Sequence, residues 1–120
     1  MRNGSGVNPL TLRQTAPPSV GHHWKMILDC RGHAPGLAYV AGFGAPLAGH
    51  PTPAGELLVD AFASRRLFWL VAPHSGVPVP FATLVPRNVG LIGRALFVQV
   101  LCTGAPRMQL SNALDVILGR

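Results

Sequence analysis

His22-His23-Trp24-Lys25-Met26-Ile27-Leu28-Asp29-Cys30 is the stretch on which the fold class turns. Trp24, Met26, Leu28 and Cys30 fall on one side of a two-residue repeat, and His23, Lys25, Ile27 and Asp29 fall on the other. Successive side chains of a strand point to opposite faces, so this pattern predicts a strand with one face buried and one in solvent. The chain on either side repeats the theme. Apolar runs of four to eight residues recur between Gly and Pro clusters, the spacing expected when antiparallel strands are joined by tight turns.

About eight such runs can be counted. The first, around Leu10 to Arg13, alternates apolar and polar residues and stops at Ala16-Pro17-Pro18. Leu37 to Ala41 follows a Gly-containing turn, and Gly42-Phe43-Gly44-Ala45-Pro46 opens a segment, 42 to 55, that reads as a long loop. Glu56 to Ala61 and Arg66 to Ala72 read as two strands joined through Phe62-Ala63-Ser64-Arg65. A helix across them would carry Arg65 in the apolar stripe of Leu58, Phe62 and Trp69. Pro73 to Pro80 reads as a loop and Phe81 to Val85 as an edge strand. Ala95 to Cys102 is almost wholly apolar apart from Gln99, which predicts a central strand. A turn near Ser111-Asn112, with Asn112 closing an Asx turn, leads to a last strand over Leu114 to Leu118. The expected fold is all-β: a two-sheet antiparallel β-sandwich with Greek-key or jelly-roll-like crossings, formed by residues 1–120 as one domain.

Composition agrees with a packed chain. Apolar residues make up 48% of 120, and the 14 Gly and 12 Pro lie between apolar runs, as turn punctuation does. The net charge of +6 comes from ten cations against Asp29, Glu56, Asp60 and Asp115. The cations are scattered along the chain, Arg65-Arg66 being the one adjacent pair, and no aromatic platform is interleaved with a basic stripe. This argues against a nucleic-acid partner. No apolar stretch reaches the length of a membrane span, and no signal peptide is visible at the N-terminus.

Few residues invite chemistry. Cys30 and Cys102 each end a predicted strand on an apolar face; they fit either a disulfide, worth roughly 4 kcal/mol for so long a loop, or two buried thiols. The adjacent His22 and His23 would point to opposite sides of a strand, while His33, His50 and His74 read as solvated loop histidines, so no metal site and no cofactor are expected. Ser5, Ser19, Ser64, Ser75 and Ser111 lack a nucleophile-elbow context, and no carboxylate pair stands out. No catalytic residue is assigned, and the protein is not read as an enzyme. Sugars stack on exposed aromatic rings. Strand positions place Trp24 and Trp69 in the core, so Phe43 in its Gly-flanked loop and Phe81 after Pro80 are the candidate ligand-contact aromatics.

Three blocks carry a further signal: Gly4-Ser5-Gly6-Val7-Asn8-Pro9, Ala54-Gly55-Glu56-Leu57-Leu58-Val59 and Leu110-Ser111-Asn112-Ala113-Leu114-Asp115-Val116-Ile117-Leu118-Gly119. With Pro86 to Gly93 and the Ala95-Leu96-Phe97-Val98-Gln99 step, they resemble a family of small β-sandwich modules found near the C-terminal ends of large secreted or surface bacterial proteins. The resemblance implies a non-enzymatic accessory module for anchoring, sorting or spacing, in an extracytoplasmic setting. Its partners would be a cell-surface polymer or neighbouring domains of a parent protein, and the export signal would belong to that longer chain. A carbohydrate-binding module is the alternative. In the sandwich so implied, Gly4, Gly6 and Pro9 are expected to set an extended approach to the first strand, and Gly55 a tight turn before Glu56.

Overall fold

A computed structural model describes residues 2–62 and 65–120. The chain is all-β, its described residues forming nine strands in three antiparallel sheets. The first sheet has the order β1-β2-β7, from Leu12–Ala16, His23–Leu28 and Val79–Leu84. The second has the order β6-β3-β8-β9, from Arg66–His74, Gly36–Phe43, Ala95–Cys102 and Gln109–Ile117. The third is a hairpin of β4, Pro46–Thr52, and β5, Gly55–Val59. One short 3-10 turn spans Val89–Leu91.

The two larger sheets pack face to face. Trp24, Met26, Leu28 and Cys30 are all buried, as the two-residue repeat requires, and they join Leu12 in a core completed by Ala38, Val40, Leu96, Val98, Val100, Cys102 and Leu114 from the opposite sheet. β8 is central, flanked by β3 and β9, because its apolar residues are covered on both faces. β7 lies at a sheet edge, where the prolines at 78 and 80 cost little pairing. Cys30 and Cys102 form a disulfide across the sandwich, with Cα atoms 5.8 Å apart and 72 residues of separation.

Several expectations need correction. Most of the 42 to 55 segment is not a loop, since Pro46–Thr52 pairs with β5. Its register is broken between Pro46 and His50, and its residues are mostly exposed, so the strand has no apolar period to betray it. β3 runs on through Gly42 to Phe43 because Gly42 lies where a Cβ would meet Leu96 and Phe68; there the glycine serves packing. β6 likewise runs past Pro73 to His74. Ala63 and Ser64, in the connection expected between the strands around Glu56 to Ala61 and Arg66 to Ala72, lie outside the described residues. Gly4 and Gly6 adopt positive φ in a turn closed by the Gly6 N–H on the Asn3 carbonyl, so the approach to β1 is folded back rather than extended. The tight turn at Gly55, with φ of +121°, is present.

The expected turn at Ser111-Asn112 is a β-bulge inside one continuous strand. Gln99 faces Ala113 and Leu101 faces Leu110, so two residues of β9 oppose the single Val100 of β8. The Ser111 hydroxyl accepts the Val100 N–H at 3.0 Å and donates to the Asn112 carbonyl, which repairs the ladder at the bulge.

Candidate functional site

The three sequence blocks meet in space around this bulge. Asn8, Gln99, Ser111 and Asn112 are buried polar residues, and buried amides require partners. The Asn8 side chain accepts the Glu56 N–H at 2.8 Å and donates to the Glu56 carbonyl at 2.7 Å and to the Ser111 carbonyl at 2.9 Å. Gln99 accepts the Leu58 N–H at 2.9 Å and donates to the same two carbonyls, at 2.9 and 2.7 Å. The inner edge of β5 is therefore paired by side-chain amides where a neighbouring strand would otherwise serve. Asn112 does the same for β1: its oxygen accepts the Thr11 and Leu12 N–H groups at 2.9 Å, and its nitrogen donates to the Leu12 carbonyl at 2.8 Å. Arg2 closes the arrangement from outside, ion-paired to Asp115 at 2.8 Å and donating to the carbonyls of Leu47 and Leu58. The amide atoms of Asn8, Gln99 and Asn112 are all engaged, so the motif's chemistry is consumed in joining the hairpin and the N-terminal segment to β8 and β9.

The aromatic surface adjoins this joint, since Gln99 lines one groove with Tyr39, Phe43 and Trp69. Phe43 is only 9% exposed and lines a groove of about 290 Å³ together with Tyr39 and Trp69 and with Leu57 and Val59 of the hairpin. Phe81 is half-buried and packs against the core. Trp24 is in the core as expected, its indole N–H donating to Gln14 at 2.8 Å. Trp69 is not: it is 48% exposed on the outer face of the four-stranded sheet, because its register partner is Ala41, an outward-facing residue of β3. It lies 5.5 Å from Tyr39, with the Arg66 guanidinium 4.9 Å from its ring centre. Leu67 and Val71, on the same strand, are also exposed. Trp69 occupies a solvent position of a strand whose other outward residues are equally apolar, which hides the alternation in the sequence.

The histidines separate. His50 lies on β4, and His74 is buried at the end of β6 rather than solvated in a loop. Its Nε2 donates to the Thr103 carbonyl at 2.7 Å, and its Nδ1 accepts the Gly76 N–H at 3.2 Å, an arrangement met by the neutral ring protonated on Nε2. Among the described residues no three His, Cys, Asp or Glu side chains gather as a metal site. Near the disulfide, a hydrogen-bonded Arg31 guanidinium holds the Asp29 carboxyl below its ordinary value. No described helix is long and apolar enough to cross a membrane. Comparison of the chain with protein-family models, curated proteins and solved structures finds no match.

Proposed function

We propose that the chain is a non-enzymatic accessory module of an extracytoplasmic protein, resembling the C-terminal β-sandwich modules of bacterial surface proteins and serving as an anchor. The observation that carries this reading is the fate of the motif residues. Asn8, Gln99, Ser111 and Asn112 spend their polar atoms on backbone groups of β1, β5, β8 and β9, a use that fits scaffold residues and leaves none aimed at a substrate. The disulfide supports an oxidising compartment. Contact with a partner would fall on the outer face around Tyr39, Leu67, Trp69 and Val71, where exposed apolar area is concentrated on one sheet.

Exposed Trp69, beside half-buried Tyr39 and in one groove with Phe43, supports carbohydrate binding as a second reading, with Tyr39 and Trp69 joining Phe43 as the contact residues. Fusion to an exported reporter tests both. Anchoring predicts retention of the fusion on the cell envelope and its release by Trp69→Ser with Tyr39→Ser. Retention competed by soluble glycan selects the second reading. Equal partition of the reporter with and without the module would overturn both.

A further inference from the structure

One end of the sandwich is open. The sheets part between the end of β7 and the start of β8, leaving a cavity of about 270 Å³ lined by Trp24, Phe68, Val85, Leu91, Leu96 and Leu118. Its lining is apolar except for Thr83 and Arg94, and Arg94 is exposed at the mouth. A shallower depression at the same end is lined by His22, Arg87 and Arg120. No Asp or Glu lines either hollow, and among the described residues none of the three arginines has an ion pair. Arg87 and Arg94 stand seven residues apart, and the fold adds Arg120 at the same end. Val89 and Leu84, exposed beside them, add an apolar rim.

We propose that this mouth binds a single-chain fatty carboxylate, its alkyl chain lying between the sheets over Trp24 and its head group on Arg94. The argument is one of complementarity in two parts. An apolar hollow favours an alkyl chain over water, because its walls offer water almost no hydrogen-bonding partner. A guanidinium at the rim, with no acid beside it, favours a carboxylate that it can grip with two parallel hydrogen bonds. Size restricts the ligand further. At about 270 Å³ the hollow suits one medium-length alkyl chain better than the two chains of a phospholipid. Arg87 and Arg120 do not reach into the apolar hollow; they raise the local positive potential and speed capture of an anion. Leu67 of β6 lines this hollow as well as the exposed face around Trp69, but the site does not rest on the anchoring role.

The test is calorimetric titration of the whole chain with decanoate, alongside 1-decanol (chain without charge), acetate (charge without chain) and vesicles of anionic phospholipid. A Trp69→Phe background makes Trp24 the single tryptophan, so its fluorescence reports where the ligand lies. Expected results are saturable one-site binding of decanoate with a change in Trp24 emission, at least tenfold weaker binding of decanol, and none of acetate. Arg94→Gln, at an exposed position, should weaken decanoate at least tenfold while leaving decanol unchanged. Ala95→Phe, also exposed and at the mouth, should weaken both. Decanoate binding that is absent, that leaves Trp24 silent or that is unchanged in folded Arg94→Gln would overturn the proposal. So would binding confined to vesicles.

Discussion

Asn112 is where the scaffold reading can be tested most sharply. The Asp29 N–H donates to the Thr11 carbonyl, so strand alternation turns the Leu12 N–H and C=O away from β2 and onto the Asn112 amide. Asn112→Ala strips both groups of that partner at a site with no solvent access, since Asn112 is fully buried. Each orphaned buried group costs about 1–3 kcal/mol, and the vacated volume adds to this, so the variant should lose about 3–5 kcal/mol. That is a large share of the 5–15 kcal/mol typical of a domain. Asn112→Asp separates hydrogen bonding from shape. A protonated carboxyl keeps an acceptor for Leu12 N–H and a donor for Leu12 C=O, whereas the carboxylate has no donor and places charge in the core. Burial raises the folded-state pKa of this group above its unfolded value of about 3.9. Its stabilisation is therefore present below that value and lost as pH rises through the folded one. Native carboxylates with depressed values, such as Asp29, act with the opposite sign. Urea unfolding at pH 4 and pH 7 should show a deficit against wild type that widens at pH 7. An Asn112→Ala cost below about 1 kcal/mol, or an Asn112→Asp deficit equal at both pH values, would refute the reasoning.

Two further stability measurements probe other parts of the frame. Closing a loop of 72 residues, the Cys30–Cys102 bridge should contribute about 4.4 kcal/mol in the chain-entropy account; the Cys30→Ala, Cys102→Ala pair should lose that amount in denaturant, and two free thiols per denatured wild-type chain by mass would refute the bridge. Gly104 has φ of +115°, and a Cβ there would collide with the Ala34 carbonyl oxygen, so Gly104→Ala should cost about 2–4 kcal/mol. Gly93→Ala, at φ of +86° with open space around it, should cost only about 1–2 kcal/mol, and equal midpoints for the two variants would show that the contact with Ala34 carries no weight.

Much of the fold was readable because it rests on alternation. His22 to Cys30 and Ala95 to Cys102 declare their buried faces in apolar residues at every second position or throughout, and the structure places both as read. β4 escaped because its exposed residues, two prolines and a glycine resemble a loop; it is a strand only because β5 pairs with it. Trp69 escaped for the converse reason, an apolar residue at an outward position. The motif blocks were legible as motifs but not as a joint. An amide can pair with any backbone group, and its partner is defined only once segments about a hundred residues apart, such as Leu12 and Asn112, have been brought together.

Charge shows the same gap between chain order and space, and here it bears on function. The arginines look dispersed in sequence, and dispersion argued against a polyanion partner. In the fold, Arg87, Arg94 and Arg120 lie at the open end of the sandwich, while the acids are engaged elsewhere: Asp115 with Arg2, Asp29 with Arg31, Glu56 with Ser5 and Asp60 with the Phe62 N–H. The buried amides of the joint carry no charge, and the Arg2–Asp115 pair that closes it from outside is partly exposed and so contributes little, which leaves the joint only weakly sensitive to salt. Binding at the mouth should therefore be sensitive to ionic strength under conditions that leave folding stability nearly unchanged. This separation of the two properties follows from where the charges are, and a chain held together by its arginines could not have it.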